Sequence, residues 1–278
     1  MKNFFASILL IFISFGNVKA QSKITPSFDK SKKFFLYWGY NRATFAKSNI
    51  HVSGYHYDFT VYDVVAKDRP DKFTLRYFNP MLISTPQFNA RIGFYINKNW
   101  SISMGYDHMK YVMETNRVYT VSGVIDSIAS PKYAGSYLKE RMMVNDDMMK
   151  FEHTDGFNVV TIDVDRYFHL HHFNKNWNLE ANVGTGGIWV VPKSDVRIFG
   201  KGANNNLHVA GFTWLGKAGI KLNRKNVFFQ AEVKGGYASL PSIFVNFHSE
   251  ELADQNITYL EVSGVIGYVF PRKKKETK

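Results

Sequence analysis

Trp177-Asn178-Leu179-Glu180-Ala181-Asn182-Val183-Gly184-Thr185-Gly186-Gly187-Ile188-Trp189-Val190-Val191 decides how the rest of the chain is read. One set of alternate positions is Trp177, Leu179, Ala181, Val183, Thr185, Gly187, Trp189 and Val191. The other begins Asn178, Glu180, Asn182, Gly184 and Gly186. A two-residue period puts each set on one side of an extended strand. The pattern returns three times. Phe212, Trp214, Gly216, Ala218, Ile220 and Leu222 oppose Thr213, Leu215, Lys217, Gly219 and Lys221. Phe229, Ala231 and Val233 oppose Gln230, Glu232 and Lys234. Leu260, Val262, Gly264, Ile266, Tyr268 and Phe270 form a last apolar face.

Alternation alone fits a sandwich as well as a barrel. Three features favour a barrel in a membrane. The strands outrun the usual roughly 5–6 residues of globular strands and suit a tilted span of about 9–11 residues with extensions. The less apolar faces carry Glu180, Lys217, Lys221, Glu232, Lys234 and Glu261; a sandwich core does not hold these, whereas the narrow interior of a small barrel does if they pair. Aromatic residues (Trp38, Trp100, Trp177, Trp189, Tyr268, Phe270) recur near strand ends, the girdle expected where a lipid-facing wall meets headgroups. The expected fold class is all-β, an antiparallel transmembrane β-barrel.

Ile96-Asn97-Lys98-Asn99-Trp100 returns as Phe173-Asn174-Lys175-Asn176-Trp177, with a looser copy at Leu222-Asn223-Arg224-Lys225-Asn226. These read as tight polar turns. Three short periplasmic turns with both termini periplasmic give eight strands, placed at 33–46, 86–97, 99–115, 157–173, 176–199, 207–223, 226–242 and 256–270. Two long external loops follow, 47–85 and 116–156, with short ones near 200–206 and 243–255. Tyr57–Val65 reads as a strand within the first. Val118–Ile125 and Met148–His153 read as a pair within the second. If these runs cross the membrane, the count becomes ten or twelve.

The ends set the compartment. Lys2 followed by the apolar run Phe4–Phe15 and Val18-Lys19-Ala20 predicts a signal peptide over 1–20 cleaved before Gln21. No Cys follows it, so no lipid-attachment site is expected; the chain has no Cys at all, which also removes thiol chemistry. The remaining divisions are a periplasmic tail at 21–32, the barrel at 33–270 and a basic periplasmic tail at 271–278. The formal charge is +12, concentrated in the terminal segments: Lys23, Lys30, Lys32 and Lys33 precede the first strand, and Arg272, Lys273, Lys274, Lys275 and Lys278 follow the last. The body is nearly balanced, so no nucleic-acid footprint is expected, and the basic tails suit a membrane surface.

Together the signal segment, the Gly- and aromatic-rich strands, the Asn-rich turns and the final Gly267-Tyr268-Val269-Phe270 resemble a bacterial outer-membrane barrel of the small OmpA/OmpX-like type, over Lys33–Phe270. The resemblance implies residence in the outer membrane of a Gram-negative cell, contact with outer-membrane lipid and lipopolysaccharide, and folding by the barrel-assembly machinery, whose signal the terminal aromatic resembles.

Five clusters bear on chemistry. Phe151-Glu152-His153-Thr154-Asp155-Gly156 puts His153 and Asp155 on one strand face, an arrangement suited to a histidine general base beside a carboxylate or to a metal held by the pair. It resembles lipid A 3-O-deacylase barrels, with Asp155 where that family has its Ser. His108 and Lys110, in Tyr106-Asp107-His108-Met109-Lys110-Tyr111, are expected on the outer rim in contact with lipid phosphates. His169 and His171 have the spacing of a strand metal site, read here as a polar plug, so no metal and no cofactor is expected. Gly184-Thr185-Gly186-Gly187 lacks the strand-to-helix passage of a phosphate loop. Finally, Arg91, Asp107, Asp163, Asp165, Glu180, Lys217, Lys221, Glu232, Lys234 and Glu261 are expected to fill the lumen with ion pairs. The functions left open are a structural or surface-interaction barrel, an outer-leaflet lipid hydrolase using His153, and a narrow channel that the lumen charges discourage.

Overall fold

The computed structural model describes residues 30–70, 86–246 and 250–271. The expected signal peptide, most of the 21–32 tail and nearly all of 271–278 lie outside them. Among the described residues fifteen strands form in chain order: β1 Phe34–Phe45, β2 Ser48–Gly54, β3 Tyr57–Val64, β4 Ala66–Lys67, β5 Phe88–Tyr95, β6 Trp100–Met113, β7 Arg117–Ile125, β8 Gly135–Val144, β9 Met149–His172, β10 Trp177–Val190, β11 Lys193–Ile198, β12 Lys201–Leu207, β13 Gly211–Arg224, β14 Val227–Phe244 and β15 Leu252–Val269.

Eight of them close a ring in the order β1-β5-β6-β9-β10-β13-β14-β15, and β1 pairs back onto β15 from Phe35↔Val269 to Phe45↔Tyr259. Each pair is antiparallel, so the ring leaves no open edge through its wall. These are the eight strands placed by the sequence, with shifted ends.

The repeated Asn-Lys-Asn-Trp motif explains the turns at one end. Asn97 Oδ1 accepts the N–H of Asn99 at 2.8 Å and of Trp100 at 3.0 Å. Asn174 Oδ1 does the same for Asn176 at 2.9 Å and Trp177 at 3.2 Å. A side chain that copies a backbone turn fixes the reversal within a few residues. The third turn instead sets Lys225 at φ 52°.

At the other end the strands run on past the ring. β2 pairs with the top of β15, β3 with β2, β7 with β3, and β8 with β7. On the opposite side β11 pairs with the top of β9 and with β12. Two readings change here. Val118–Ile125 pairs with β3 and β8, not with 148–153, and residues 149–153 are the upper end of β9. The strand expected at 176–199 stops at Val190 and resumes as β11, because Val190 already pairs with Val159 while β11 must pair higher, with 149–152.

β9 carries two opposite dressings. In its lower half Thr161, Asp163, Asp165 and Tyr167 face the lumen, while Ile162 and Val164 are exposed on the outside. In its upper half Met149, Phe151 and His153 are buried, and Lys150 and Glu152 lie outside in ion pairs. The change falls near Gly156, whose φ of +145° suits a residue without Cβ. Below it the wall is greasy outside and polar within; above it the molecule is dressed as a protein in water. The exposed apolar belt continues around the ring with Leu36, Ile92, Ile102, Met104, Ile220, Phe229, Val233, Leu260, Val262 and Ile266.

Candidate functional site

The lumen is filled in three tiers. At the turn end Phe35, Tyr37, Tyr95, Tyr167, Phe228, Val265 and Val269 cluster inside the ring. Lys221 ends among them, its Nζ 3.5 Å from the Phe228 ring centroid and hydrogen-bonded to the Tyr95 hydroxyl. An ammonium over several ring faces is held by their quadrupoles. Lys30, from the segment before β1, enters the same end. Its Nζ lies 2.6 Å from Glu180 Oε2 and 4.1 Å from the Tyr167 ring centroid.

The middle tier is ionic. The Arg91 guanidinium donates to Asp163 at 2.5 Å, to both oxygens of Asp107 at 3.3 Å, and to the Tyr37 hydroxyl at 3.0 Å. Lys217 Nζ sits 2.9 Å from Asp163 and 3.0 Å from Asp165. Lys234 Nζ reaches Asp107 at 2.9 Å and Glu261 at 3.1 Å. Glu232 accepts from Gln230 at 2.8 Å and Asn182 at 3.2 Å. Asn89 bridges Asp107, at 2.7 Å, and Glu261. All these groups are buried. Charges so enclosed are tolerable only when paired and hydrogen-bonded.

The route by which they meet is legible in the glycines. Lys217 on β13 and Asp163 and Asp165 on β9 are separated by β10, which presents Gly184 and Gly186 to the lumen between them. A Cβ on Gly186 would lie 1.9 Å from Asp163 Oδ1, and one on Gly184 would lie 2.3 Å from Asp165 Oδ1 and 2.9 Å from Lys217 Cε. The bare backbone lets a lysine reach across a strand. That is the physical content of the Gly184-Thr185-Gly186 run.

The upper tier is an apolar core. Ile50, Val52, Phe59, Val61, Tyr111, Val121, Phe151, Phe157, Leu240, Ile257 and Tyr259 are buried together above the ions. Phe199, at the β11–β12 tip, meets Tyr57, Phe59 and Tyr133 at 5.6–6.0 Å between ring centroids. The β2–β3–β7–β8 sheet is thus packed against the hairpin on the far side, and the two close over the mouth as a cap.

His153 lies in this core, above the apolar belt. It is fully buried, with Nδ1 2.8 Å from Ser194 Oγ and its ring among Phe151, Tyr111 and Phe157. Burial, with His208 nearby, pushes the imidazole down to about 3. A neutral ring sealed among aromatics is a poor general base. Asp155 is turned elsewhere: residues 154–156 bulge between His153 and Phe157, and the carboxylate meets Lys193 at 3.4 Å while half-exposed. The expected His153–Asp155 pair does not form. The sequence did not point to Ser194, since nothing in its spacing ties it to His153.

His108 and Lys110 keep the face opposite Asp107, Met109 and Tyr111, but they are not exposed there. Both are buried; His108 Nδ1 lies 2.7 Å from Asn158 Oδ1 and its ring stacks on Phe88. Lys110 lies between Met109, paired with Phe157, and Tyr111, paired with His153, opposite the extra residues 154–156 of β9. His169 and His171 do not share a face. A bulge at Leu170 brings His169 against His172, with ring centroids 3.8 Å apart, and sends His171 to Phe173. Among the described residues no group of three or more His, Asp or Glu is arranged to hold a metal.

The strongest exposed cluster is one the sequence did not mark. On β2, His51 stands between Asp254 at 2.6 Å and Asp58 at 3.0 Å, joining β15, β2 and β3. Burial pulls its pKa down, but the hydrogen bonds and charges of Asp58 and Asp254 outweigh this and hold it above its ordinary value.

No protein-family model and no curated protein matches the chain. Solved structures that resemble it include the following bacterial surface and outer-membrane proteins. OprG from Pseudomonas aeruginosa aligns at a TM-score of 0.37 and 9% identity, over 89% of this chain and 100% of that one. Neisserial surface protein A gives 0.35 and 9%, over 85% and 97%. Ail of Yersinia pestis, solved with the heparin analogue sucrose octasulfate, gives 0.31 and 11%, over 86% and 99%. The ring of eight antiparallel strands, apolar outside and ionic within, makes this chain an all-β antiparallel barrel.

Proposed function

We propose that the chain is exported by a signal peptide cleaved before Gln21 and serves in the outer membrane of a Gram-negative cell as a closed barrel whose role lies in its external cap, as a structural or surface-interaction element. The observation that carries this reading is closure at three depths: aromatic rings with Lys221, the Arg91–Lys217–Lys234 ion network, and the apolar cap core. Solute passage through such a lumen would require dismantling buried ion pairs, each step uncovering an unpaired charge. Lipid and lipopolysaccharide surround the belt in this reading, and the barrel-assembly machinery inserts it. Hydrolysis at His153 has no support in the geometry, since the ring is sealed and Asp155 is turned away from it.

Because the native chain has no cysteine, single cysteines report orientation cleanly. A membrane-impermeant maleimide on intact cells is expected to label a cysteine at Leu138, which is 86% exposed on the cap, and to leave one at Lys175 unlabelled. Labelling at 175 and not at 138 overturns the reading.

A further inference from the structure

Among the described residues, the outward faces of the ring strands within the apolar belt carry two exposed charged side chains, Arg42 and Arg166, and Arg42 donates to Gln87 Oε1 at 2.8 Å. On β9 the outward series is Ile162, Val164, Arg166 and Phe168. Arg166 pairs with Trp100 on β6, the first residue after the 97–99 turn. Its guanidinium carbon lies 4.9 Å from the Phe168 ring centroid and 5.6 Å from that of Trp100. Asp165, the adjacent carboxylate, points inward to Lys217 at 3.0 Å, and among the described residues no carboxylate forms an ion pair with Arg166. An exposed cation among Val164, Ile102 and Trp100, which are 40–42% exposed, is costly in hydrocarbon and favourable only where it reaches headgroup anions.

We infer that Arg166, Trp100 and Phe168 seat the phosphate of one phospholipid in the leaflet at the turn end. The chemistry fits in three respects. A guanidinium presents a planar fork matched to two phosphate oxygens. The two flanking rings hold that plane in place and themselves favour the headgroup depth. Ile102, Met104, Ile162 and Val164 continue the face toward the belt's middle and offer a track for an acyl chain. Arg224 provides a contrast within the same molecule: it also pairs with a Trp that follows a turn, but its guanidinium carbon lies 5.2 Å from the Trp177 ring centroid and, among the described residues, no second ring lies against it.

The test is native mass spectrometry of the full-length protein released from detergent with phosphatidylglycerol, or with a galactolipid of the same chains that lacks phosphate. The wild type should retain one phosphatidylglycerol and little galactolipid. R166A should lower that occupancy about tenfold, as expected for loss of a charge-assisted bidentate contact, and R166K should recover only part of it. R224A should retain the lipid, and added inorganic phosphate should not displace it. Circular dichroism identical to wild type establishes that each variant has folded. Equal retention by R166A, full retention by R166K, equal binding of the galactolipid, or a comparable loss in R224A would each overturn the assignment.

Discussion

The two halves of β9 belong to one strand and obey opposite rules. Between Thr161 and Tyr167 the inward side chains are polar or charged and the outward ones largely apolar; between Met149 and His153 the inward ones are apolar and the outward ones charged. β15 repeats this. Its lower part shows Leu260, Val262 and Ile266 outward with Glu261 and Ser263 inward, while its upper part buries Ala253 and Ile257 and turns Asp254 out to His51. The backbone geometry is the same in both halves. The solvent differs, and it alone decides which face must be apolar.

The sharpest way to break this comparison is in the ionic tier. Lys217→Ala leaves Asp163 and Asp165 facing each other in a buried site, and removing one partner of such a group costs about 3–5 kcal/mol. Urea unfolding in phospholipid vesicles should show a loss of that size. A loss under about 1 kcal/mol, the range of exposed pairs, would mean that water fills the tier.

A matched pair of substitutions on β9 measures where the inversion falls. Ile162→Lys places a charge on the lipid face, at about 2–4 kcal/mol near the bilayer midplane. Thr154→Lys makes the same outward change above Gly156, among Lys150 and Glu152, and should stay within roughly 0.5 kcal/mol of wild type. Equal costs at both sites would remove the boundary.

The smallest effect belongs to the cap. His51 has a raised folded-state pKa, so its contribution is complete below the ordinary value near 6.5 and fades as pH rises through the folded value. The site is more than a third exposed, so solvent screening keeps the effect below about 1 kcal/mol. His51→Gln should flatten the pH dependence of cap unfolding followed by hydrogen exchange at β2; an unchanged slope would show that His51 does not link β15 to β3.

The wall was legible because each residue in it answers to a period of two. Trp177–Val190 and Leu252–Val269 sort their side chains by parity alone, and the Asn97 and Asn174 turns repeat because one local hydrogen-bond pattern serves both. What the sequence hid was every place where parity slips. The bulge at Leu170 re-pairs His169 with His172, and the bulge over residues 154–156 turns Asp155 away from His153. An extra residue changes the face of a side chain beside it, and nothing in composition marks where it falls. Lys30 was hidden for another reason: its partner Glu180 lies 150 residues away, and its place beyond the first strand reads as tail. The cap's strands were partly visible, but their pairing across loops of different origin was not, since β3 with β7 is a contact between two external loops.

The claim on which the rest depends is that the barrel is closed, and electrical recording of the purified full-length protein in a planar lipid bilayer tests it most directly. The account predicts no steady single-channel conductance for the wild type at neutral pH. A large, steady conductance from correctly folded protein would contradict it, because ions could not pass the Arg91, Lys217 and Lys234 tier while its pairs are made.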